Sequence, residues 1–463
     1  MSGEKTRQRP LKFLLDNSVF LIAGAAGALV WANLDKEAYH HVMHAVIAGE
    51  GSAHPVTPHF IINDILMAFF FAIAGKEVWE ALLPGGPLSN MRKAATPLIA
   101  TLGGMVGPAG LYLLGCYWLG VMDEYADGWA VPMATDIAFS YLIARLIFGP
   151  GHVAIPFLLL LAIADDAGGL LILAVFYPQG ELAPIWLLAT VGAIIMGLFM
   201  RRMKLQSFWW YLLLPGTLSW FSFYESGLHP ALGLVPIIPT LPHAHTDLGL
   251  FAREELGRND TLNEFEHWWK NPVEIILGLF GLGNAGVAFT SVGDGTWLVL
   301  AGLLIGKPLG VAFFTVLGMR ALRLELPAGM NFRDLLVVGM VAGIGFTVSL
   351  FVATAAFPGD SPYLDSVKMG ALGSFAAAFL AIFGARAMGI RPGSGTEEAG
   401  SGTEETGSGT EEAASGTEEA DSGTEEADSG TDEASPAAEE PPASEEADTS
   451  EAEDESGGAE ESS

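Results

Sequence analysis

The stretch LLLLAIADDAGGLLILAVF, residues 158–176, decides the fold, because it sets two adjacent acids inside a long apolar run. About 20 apolar residues cross a bilayer as a helix, so Asp165 and Asp166 lie near the middle of a predicted membrane span. An ionisable residue at that depth costs roughly 2.5–3.5 kcal/mol on insertion scales. The pair therefore requires a watery cavity or oppositely charged neighbours. The Ala-Gly-Gly that follows leaves a helix cap as the alternative interpretation.

Similar apolar stretches recur along the first 390 residues and predict an all-α polytopic membrane protein with about twelve transmembrane helices. A large soluble helical protein is the alternative, but soluble helices are usually apolar on one stripe only, and several of these segments are apolar nearly all round. Prolines interrupt the seventh and eighth segments. The predicted spans are 13–33, 59–83, 94–121, 130–149, 153–177, 182–200, 207–221, 226–241, 272–291, 296–319, 334–357 and 366–388.

The basic residues between the predicted spans indicate the orientation, since cytoplasmic loops carry an excess of Lys and Arg. Sixteen of the 21 bases in residues 1–390 fall on the side of the N terminus, and only Lys36 and Lys368 fall on the other side. This asymmetry predicts cytoplasmic N and C termini. It also predicts a cytoplasmic N-terminal segment at 1–12 and a membrane domain at 13–390.

Residues 391–463 form a separate polymer with 25 acids and a single base. A Ser-Gly-Thr-Glu/Asp-Glu unit recurs every seven residues from Ser394 to Ser429 and offers no apolar seam for a coiled coil. Low hydrophobicity and high net charge predict a disordered acidic tail. We expect a passive solvated polyanion; the alternatives are that the tail concentrates cations locally or keeps the protein soluble in high salt.

The charge balance and the cysteine count exclude other classes of protein. Neither part of the chain has a basic surface for phosphates, so no nucleic-acid partner is predicted. The single Cys116 allows no intramolecular disulfide and no cysteine cluster for zinc. We expect no cofactor.

Two further charges fall inside predicted spans. Asp136 follows Pro132 and a small polar run, which predicts a broken helix; it is either a ligand in a cavity or the N-cap of the next helix, and both can hold together. Lys307 lies in the middle of another apolar run and needs a carboxylate partner, Asp165 or Asp166. The alternative is that its side chain extends to the membrane interface, which the apolar residues on both sides make difficult. The glycines of GMVAGIGFTVSLFVA, residues 339–353, predict a second broken helix.

Broken helices in corresponding parts of two halves, here 94–177 and 296–388, predict inverted repeats around a transport site. Oxygen ligands suit hard cations, so the acid pair predicts a site for protons or a small cation. A cation channel, a carrier of organic solutes and a non-transporting sensor are the alternatives. A cation channel has no need of the central Lys307, whose charge would repel cations. A carrier of organic solutes should have aromatic or amide groups around the acid pair, where this chain has Ala, Leu and Gly. A sensor that does not transport has no need of acids inside the membrane.

The segments together resemble the NhaA-type sodium/proton antiporters over residues 11 to 390, an inverted-repeat family. No single tetrapeptide is specific, but their order among the predicted spans is. The matching motifs are Ile62-Asn63-Asp64, Gly75-Lys76-Glu77-Val78, Ala134-Thr135-Asp136-Ile137-Ala138-Phe139, Ala164-Asp165-Asp166, Ser226-Gly227-Leu228-His229, Asn284-Ala285-Gly286-Val287, residues 301–310 (AGLLIGKPLG) and Gly343-Ile344-Gly345-Phe346-Thr347.

The resemblance implies an electrogenic, pH-regulated antiporter that exports Na⁺ or Li⁺ in exchange for more than one inward H⁺ by alternating access. The implied setting is the bilayer of a bacterial inner membrane, with a second copy of the chain as a candidate partner. Asp165 and Asp166 would form the ion site, with Lys307 as the counter-charge of Asp165, and Thr135 and Asp136 at the crossing of two broken helices. The implied pH-response residues are Glu77, Glu266 and His267, and Asp64 is a further candidate. The chain departs from the family pattern at Trp79, Glu80 and Ala81, which replace a charged run, and at Lys270, which replaces a second His.

Overall fold

The structure is a computed structural model that describes residues 19–49, 55–243, 260–359 and 361–390. The predicted N-terminal segment 1–12 and the acidic tail 391–463 lie outside the described residues. Fifteen helical elements follow one another in the described part: α1 Val19–Leu34, α2 Lys36–His44, α3 Pro58–Leu82, α4 Met91–Leu119, α5 Met122–Met133, α6 Ile137–Phe148, α7 Ala154–Phe176, α8 Pro184–Arg202, α9 (208–226), α10 Pro230–Thr240, α11 Thr261–Asn284, α12 Asp294–Ala321, α13 Phe332–Ala342, α14 Phe346–Ala356 and α15 Leu364–Ala387.

Six of these helices are long and apolar enough to cross a membrane by themselves, namely α3, α4, α7, α8, α12 and α15. Two bent pairs, α5 with α6 and α13 with α14, raise the number of candidate spans in the described residues to eight. The helical, polytopic architecture agrees with the sequence prediction. Twelve crossings and the inverted repeats stay predictions.

Three predicted segments differ from the helices observed. The segment predicted at 226–241 holds two short 3₁₀ turns, Pro230–Leu232 and Val235–Thr240, because its prolines have no backbone N–H to donate. The helix predicted at 207–221 runs on to Ser226, because a π-turn at Leu212–Gly216 accommodates Pro215 without ending it. It stops at Gly227, whose φ of 79° is accessible to glycine without strain. The segment predicted at 272–291 begins earlier, at Thr261, since the side chain of Asp260 accepts a hydrogen bond from the backbone N–H of Asn263.

The two bent pairs break where the sequence has proline or glycine. The chain turns by 54° between α5 and α6, just after Pro132, and by 50° between α13 and α14, around Gly343 and Gly345. The breaks touch, because the backbone N–H of Asp136 donates to the carbonyl of Ile344 at 2.7 Å. Backbone groups freed by each break thus find partners in the other, which satisfies them at membrane depth.

Small residues allow α4 and α12 to pack with their backbones close together. A Cβ placed on Gly103 would lie 2.2 Å from the carbonyl oxygen of Gly310, and one on Gly107 would lie 2.5 Å from that of Gly306. Close approach of this kind through glycine is typical of membrane helix pairs. It fixes α12, and therefore Lys307, against the rest of the bundle.

Candidate ion-binding site

The centre of the site is an ion pair between Lys307 on α12 and Asp165 on α7. Lys307 Nζ lies 2.8 Å from Asp165 Oδ2, and the two side chains are 0% and 1% exposed. Lys307 also donates a hydrogen bond to the carbonyl oxygen of Met133, at the end of α5. Of the two partners that the apolar run left open for Lys307, the structure brings Asp165 into contact.

Thr135 lies in the break between α5 and α6 and completes this cluster. Its Oγ1 is 2.8 Å from Asp165 Oδ2 and 3.1 Å from the carbonyl oxygen of Ala342, which ends α13. A hydroxyl has one proton to donate, so only one of these acceptors receives it at a time. The same Asp165 oxygen thus faces both an ammonium and a hydroxyl donor.

Asp166 differs from its neighbour in exposure and in contacts. It is half-buried, whereas Asp165 is buried. Among the described residues no hydrogen bond or ion pair reaches its carboxylate, although Asp165 and Glu77 are near enough to interact with it electrostatically. Adjacent helical residues point roughly 100° apart, which explains why one acid is enclosed and the other is accessible.

Asp136 has contacts that hold the two breaks together. Its Oδ1 accepts from the backbone N–H of Phe139 at 3.2 Å, which makes Asp136 the N-cap of α6. Its Oδ2 accepts from the backbone N–H of Thr347 at 3.3 Å and from the hydroxyl of the same residue. The carboxylate therefore joins the start of α6 to the start of α14, and the structure places no contact between it and Asp165 among the described residues.

The three pH-response candidates do not form one cluster. Glu266 on α11 accepts a hydrogen bond from Lys76 Nζ, and Lys76, which is 2% exposed, also donates to Glu80. Glu77 is half-buried and makes no hydrogen bond to these three residues among the described contacts, but it is near enough to Lys76 and Glu266 to interact with them electrostatically. His267 is exposed. The Lys76 network was missed at the sequence level; the only available signal was a lysine inside an apolar span.

Asp64 lies apart from the central ion pair. Its Oδ1 is 3.7 Å from Nδ1 of His229, which is 5% exposed, and its carbonyl accepts from the Trp220 indole at 2.8 Å. The residue before it, Asn63, exchanges side-chain amide hydrogen bonds with Asn284 at 2.8 and 3.3 Å. The sequence motifs identified Asp64 and His229 as residues of interest. They did not predict the Asp64–His229 and Asn63–Asn284 contacts, which depend on how the helices pack.

The geometry allows a specific chemistry. Asp165 and Asp166 offer carboxylate oxygens, and the breaks bring Thr135 Oγ1 and backbone carbonyls to the same depth. Hard cations prefer such oxygen ligands. Two neighbouring acids also bind and release protons, and Lys307 supplies a competing positive charge at Asp165.

Comparison with known proteins places the chain in a family. The family model described as Na⁺/H⁺ antiporter 1 matches residues 12–384. The chain is 54% identical over 411 residues to the Na(+)/H(+) antiporter NhaA of Jannaschia sp. (strain CCS1), covering 81% of this chain and 96% of that relative. It is 47% identical over 383 residues to the Na(+)/H(+) antiporter NhaA of Geotalea uraniireducens (strain Rf4), covering 82% and 97%.

A third relative, the Na(+)/H(+) antiporter NhaA of Geobacter sulfurreducens, is 46% identical over 386 residues, with 83% of this chain and 99% of the relative covered. The match includes every described element of the helical body, from α1 to most of α15, and leaves the acidic tail outside. The chain therefore belongs to the Na⁺/H⁺ antiporter 1 family and is a multi-pass membrane transporter of the sodium/proton antiporter type.

Proposed function

We propose that Na⁺, or Li⁺, and protons compete for one site formed by Asp165 and Asp166, and that this competition couples their fluxes. The observation that carries the proposal is the contrast between the two acids. Asp165 is neutralised by Lys307 in a buried pair, while Asp166 beside it is half-buried and has no hydrogen-bond partner among the described residues. Asp165 is thus occupied by the Lys307 ammonium group, whereas Asp166 is available to bind a cation from outside the protein.

The transport cycle follows from these charges. With the site open to the cytoplasm, Asp166 loses its proton and receives a dehydrated cation. The cation then binds Asp165 as well. To do so, it must displace the Lys307 ammonium group, which lies 2.8 Å from the Asp165 carboxylate. Thr135 Oγ1 and carbonyls at the helix breaks provide further oxygen ligands. On the outward side, protons and the Lys307 ammonium displace the cation, and the neutralised site returns.

The broken helices suit the conformational change. The α5–α6 and α13–α14 breaks are joined through Asp136 and Thr347, so the two pairs can shift as a unit around the acid pair. Fixed dipoles at the ends of the half-helices offset the charge of the site. Alternating access then needs a movement of these elements against α7 and α12, and no nucleotide.

The finer properties of the cycle belong to the same proposal. Two carboxylates and one lysine titrate together, so more than one proton exchanges per cation and each cycle moves net charge. The excess of bases on the N-terminal side supports cytoplasmic termini in a bacterial inner membrane. Glu77, Glu266 and His267 are proposed to set the pH response, with Glu266 acting through its contact with Lys76.

Sodium-driven recovery of a pH-sensitive dye in everted membrane vesicles tests the proposal. Asp165→Asn and Asp166→Asn should each abolish the recovery, because an amide neither titrates nor offers a full negative charge. Asp123→Asn is the matched control, since Asp123 is exposed at the start of α5, away from the helix break, and it should retain exchange. Normal exchange by Asp166→Asn would refute the site. Uncoupled Na⁺ flux without proton movement in the wild type would favour a channel instead.

A further inference from the structure

A second polar cavity opens at the end of the bundle where α2 ends and α15 begins. It has a volume of about 600 Å³ and includes Lys368 and Lys36 among its lining residues. Three histidines also line it: His40 and His44 from α2, and His59 from α3. On the orientation proposed above, this cavity lies on the outer side, away from the termini.

Lys368 is the unusual residue of this cavity. It is only 8% exposed, and no hydrogen bond or ion pair reaches its ammonium group from the described residues. The nearest candidate partner, Asp365, is one turn away on α15 but pairs at 2.8 Å with Lys36. Asp365 is near enough to attract Lys368 electrostatically, but its carboxylate is already in contact with Lys36, so two ammonium groups share one carboxylate here. Burying a charge that is only partly compensated is costly, and the described lining therefore favours an anion.

The other lining groups have the chemistry of an anion site. Ser361 and Ser366 add hydroxyl groups, and among the described lining residues Asp365, already paired with Lys36, is the only carboxylate. The histidines do not converge as metal ligands. Their rings stack face to face, with centroids 4.1 Å apart between His40 and His44 and 5.2 Å apart between His44 and His59. The described residues contain no group of His, Cys, Asp or Glu arranged to hold a metal ion.

We propose that this cavity, centred on Lys368, binds a phosphate-type oxyanion. A multi-oxygen anion can accept hydrogen bonds from donors that lie several bond lengths apart, whereas the donors to a halide must all converge on one atom. Lysine is a common point-charge partner of phosphate. The same chemistry is offered by inorganic phosphate and by the headgroup of an anionic phospholipid. The site is separate from the acid pair and needs no feature of the transport cycle.

Equilibrium binding of radiolabelled inorganic phosphate to the delipidated full-length protein in maltoside detergent tests the proposal, with potassium as the only cation. The wild type should bind phosphate saturably, and potassium chloride at equal ionic strength should not displace it. Lys368→Gln should weaken binding by about tenfold or more, because a charge-assisted hydrogen bond is lost. Lys368→Arg should retain it. Lys270→Gln is the matched control, because Lys270 is an exposed lysine on α11 that does not line the cavity. This variant should leave the affinity for phosphate unchanged.

A gain-of-affinity variant guards against a misfolded Lys368→Gln protein. Asp365→Asn removes the one carboxylate among the described lining residues and leaves Lys36 without its partner, so phosphate should bind several times more tightly. If short-chain phosphatidylglycerol competes with phosphate, the ligand is a lipid headgroup; if it does not compete, the ligand is a free anion. Both results support the site. The proposal would be overturned if phosphate did not bind saturably, or if chloride displaced it as well as unlabelled phosphate does. It would also be overturned if Lys368→Gln and Asp365→Asn both bound phosphate with the wild-type affinity. None of these readouts depends on antiport, so failure here would leave the proposed function standing.

Discussion

Lys307 Nζ and Asp165 Oδ2 lie 2.8 Å apart in the middle of the helical body, with neither side chain more than 1% exposed. The pair joins α12 to α7, and the close backbone approach of α12 and α4 fixes the position of the lysine. In the proposed cycle this contact neutralises one of the two central acids when no Na⁺ is bound. It is therefore both a structural bond and, in the proposed cycle, the competitor that a bound cation must replace.

Replacing Lys307 by Ala should destabilise the protein strongly in detergent without Na⁺. Breaking a buried ion pair by removing one partner typically costs about 3–5 kcal/mol, because the other charge stays buried. Since Na⁺ binds only the folded site, saturating Na⁺ should restore part of the lost thermal stability by mass action. Thermal unfolding followed by tryptophan fluorescence, with and without Na⁺, measures both effects.

The matched control for that measurement is Lys270→Ala, which removes an exposed lysine of α11. It should change the unfolding temperature little in either condition. An unfolding temperature for Lys307→Ala equal to that of the control would show that Lys307 fills space and does not balance a charge.

Thr135→Val should weaken Na⁺ binding while keeping the shape of the side chain. The variant removes the hydroxyl that lies 2.8 Å from Asp165 Oδ2 and contacts the carbonyl of Ala342. It also removes one of the proposed oxygen ligands of the bound cation, and a loss of about 1.4 kcal/mol of binding free energy corresponds to a roughly tenfold lower apparent affinity. Thr135→Ser keeps the hydroxyl and should bind nearly as the wild type does. Equal affinities of the Val and Ser variants in calorimetric titrations with Na⁺ would exclude the hydroxyl from the site.

Much of the site could be predicted from sequence because its signals are local. Pro132 and the glycines at 343 and 345 marked both helix breaks, and charges inside apolar runs marked Asp165, Asp166 and Lys307. These features conflict with a uniform membrane helix, so each stands out by itself. The approximate positions of most spans follow from the same apolar patterning.

Apart from the pairing of Lys307 with one of the two central acids, contacts between distant parts of the chain could not be predicted in this way. Lys76 and Glu266 are 190 residues apart, and Asp136 and Thr347 are 211 apart, so only the packing of α3 on α11 and of the two breaks brings them together. Helix ends set by single caps were also misplaced. The capping of α11 by Asp260 extends that helix beyond its apolar part, where hydrophobicity gives no signal.

Gly103→Ala should destabilise the bundle, whereas Gly110→Ala on the same helix should not. A Cβ at Gly103 would lie 2.2 Å from the carbonyl oxygen of Gly310, which forces α4 and α12 apart, but nothing lies within 4 Å of a Cβ at Gly110. Overpacking of this kind costs about 1–3 kcal/mol. Thermal unfolding of both variants measures the difference. Equal unfolding temperatures would contradict the close α4–α12 contact.

Deleting residues 392–463 should leave membrane insertion and exchange largely intact. The prediction rests on composition, because the tail carries 25 acids and no apolar surface with which to dock on the helices. Exchange in everted vesicles at two salt concentrations measures the effect. A loss of activity at both concentrations would contradict a passive tail, and a loss at low salt alone would indicate cation enrichment by the polyanion.

The dependence of Na⁺ affinity on pH tests the shared site most directly. Calorimetric titration of the purified wild type with Na⁺ at a series of pH values gives the apparent Kd, with Asp123→Asn as the control protein. If protons and Na⁺ compete for Asp165 and Asp166, the apparent Kd for Na⁺ should rise as the pH falls. Below the pH at which the acids become protonated, the rise should be about tenfold or more for each unit of pH. The heat should also depend on the buffer, since binding releases protons. A Kd that stays constant as the pH falls, with no proton release, would contradict competition at one site and with it the proposed coupling.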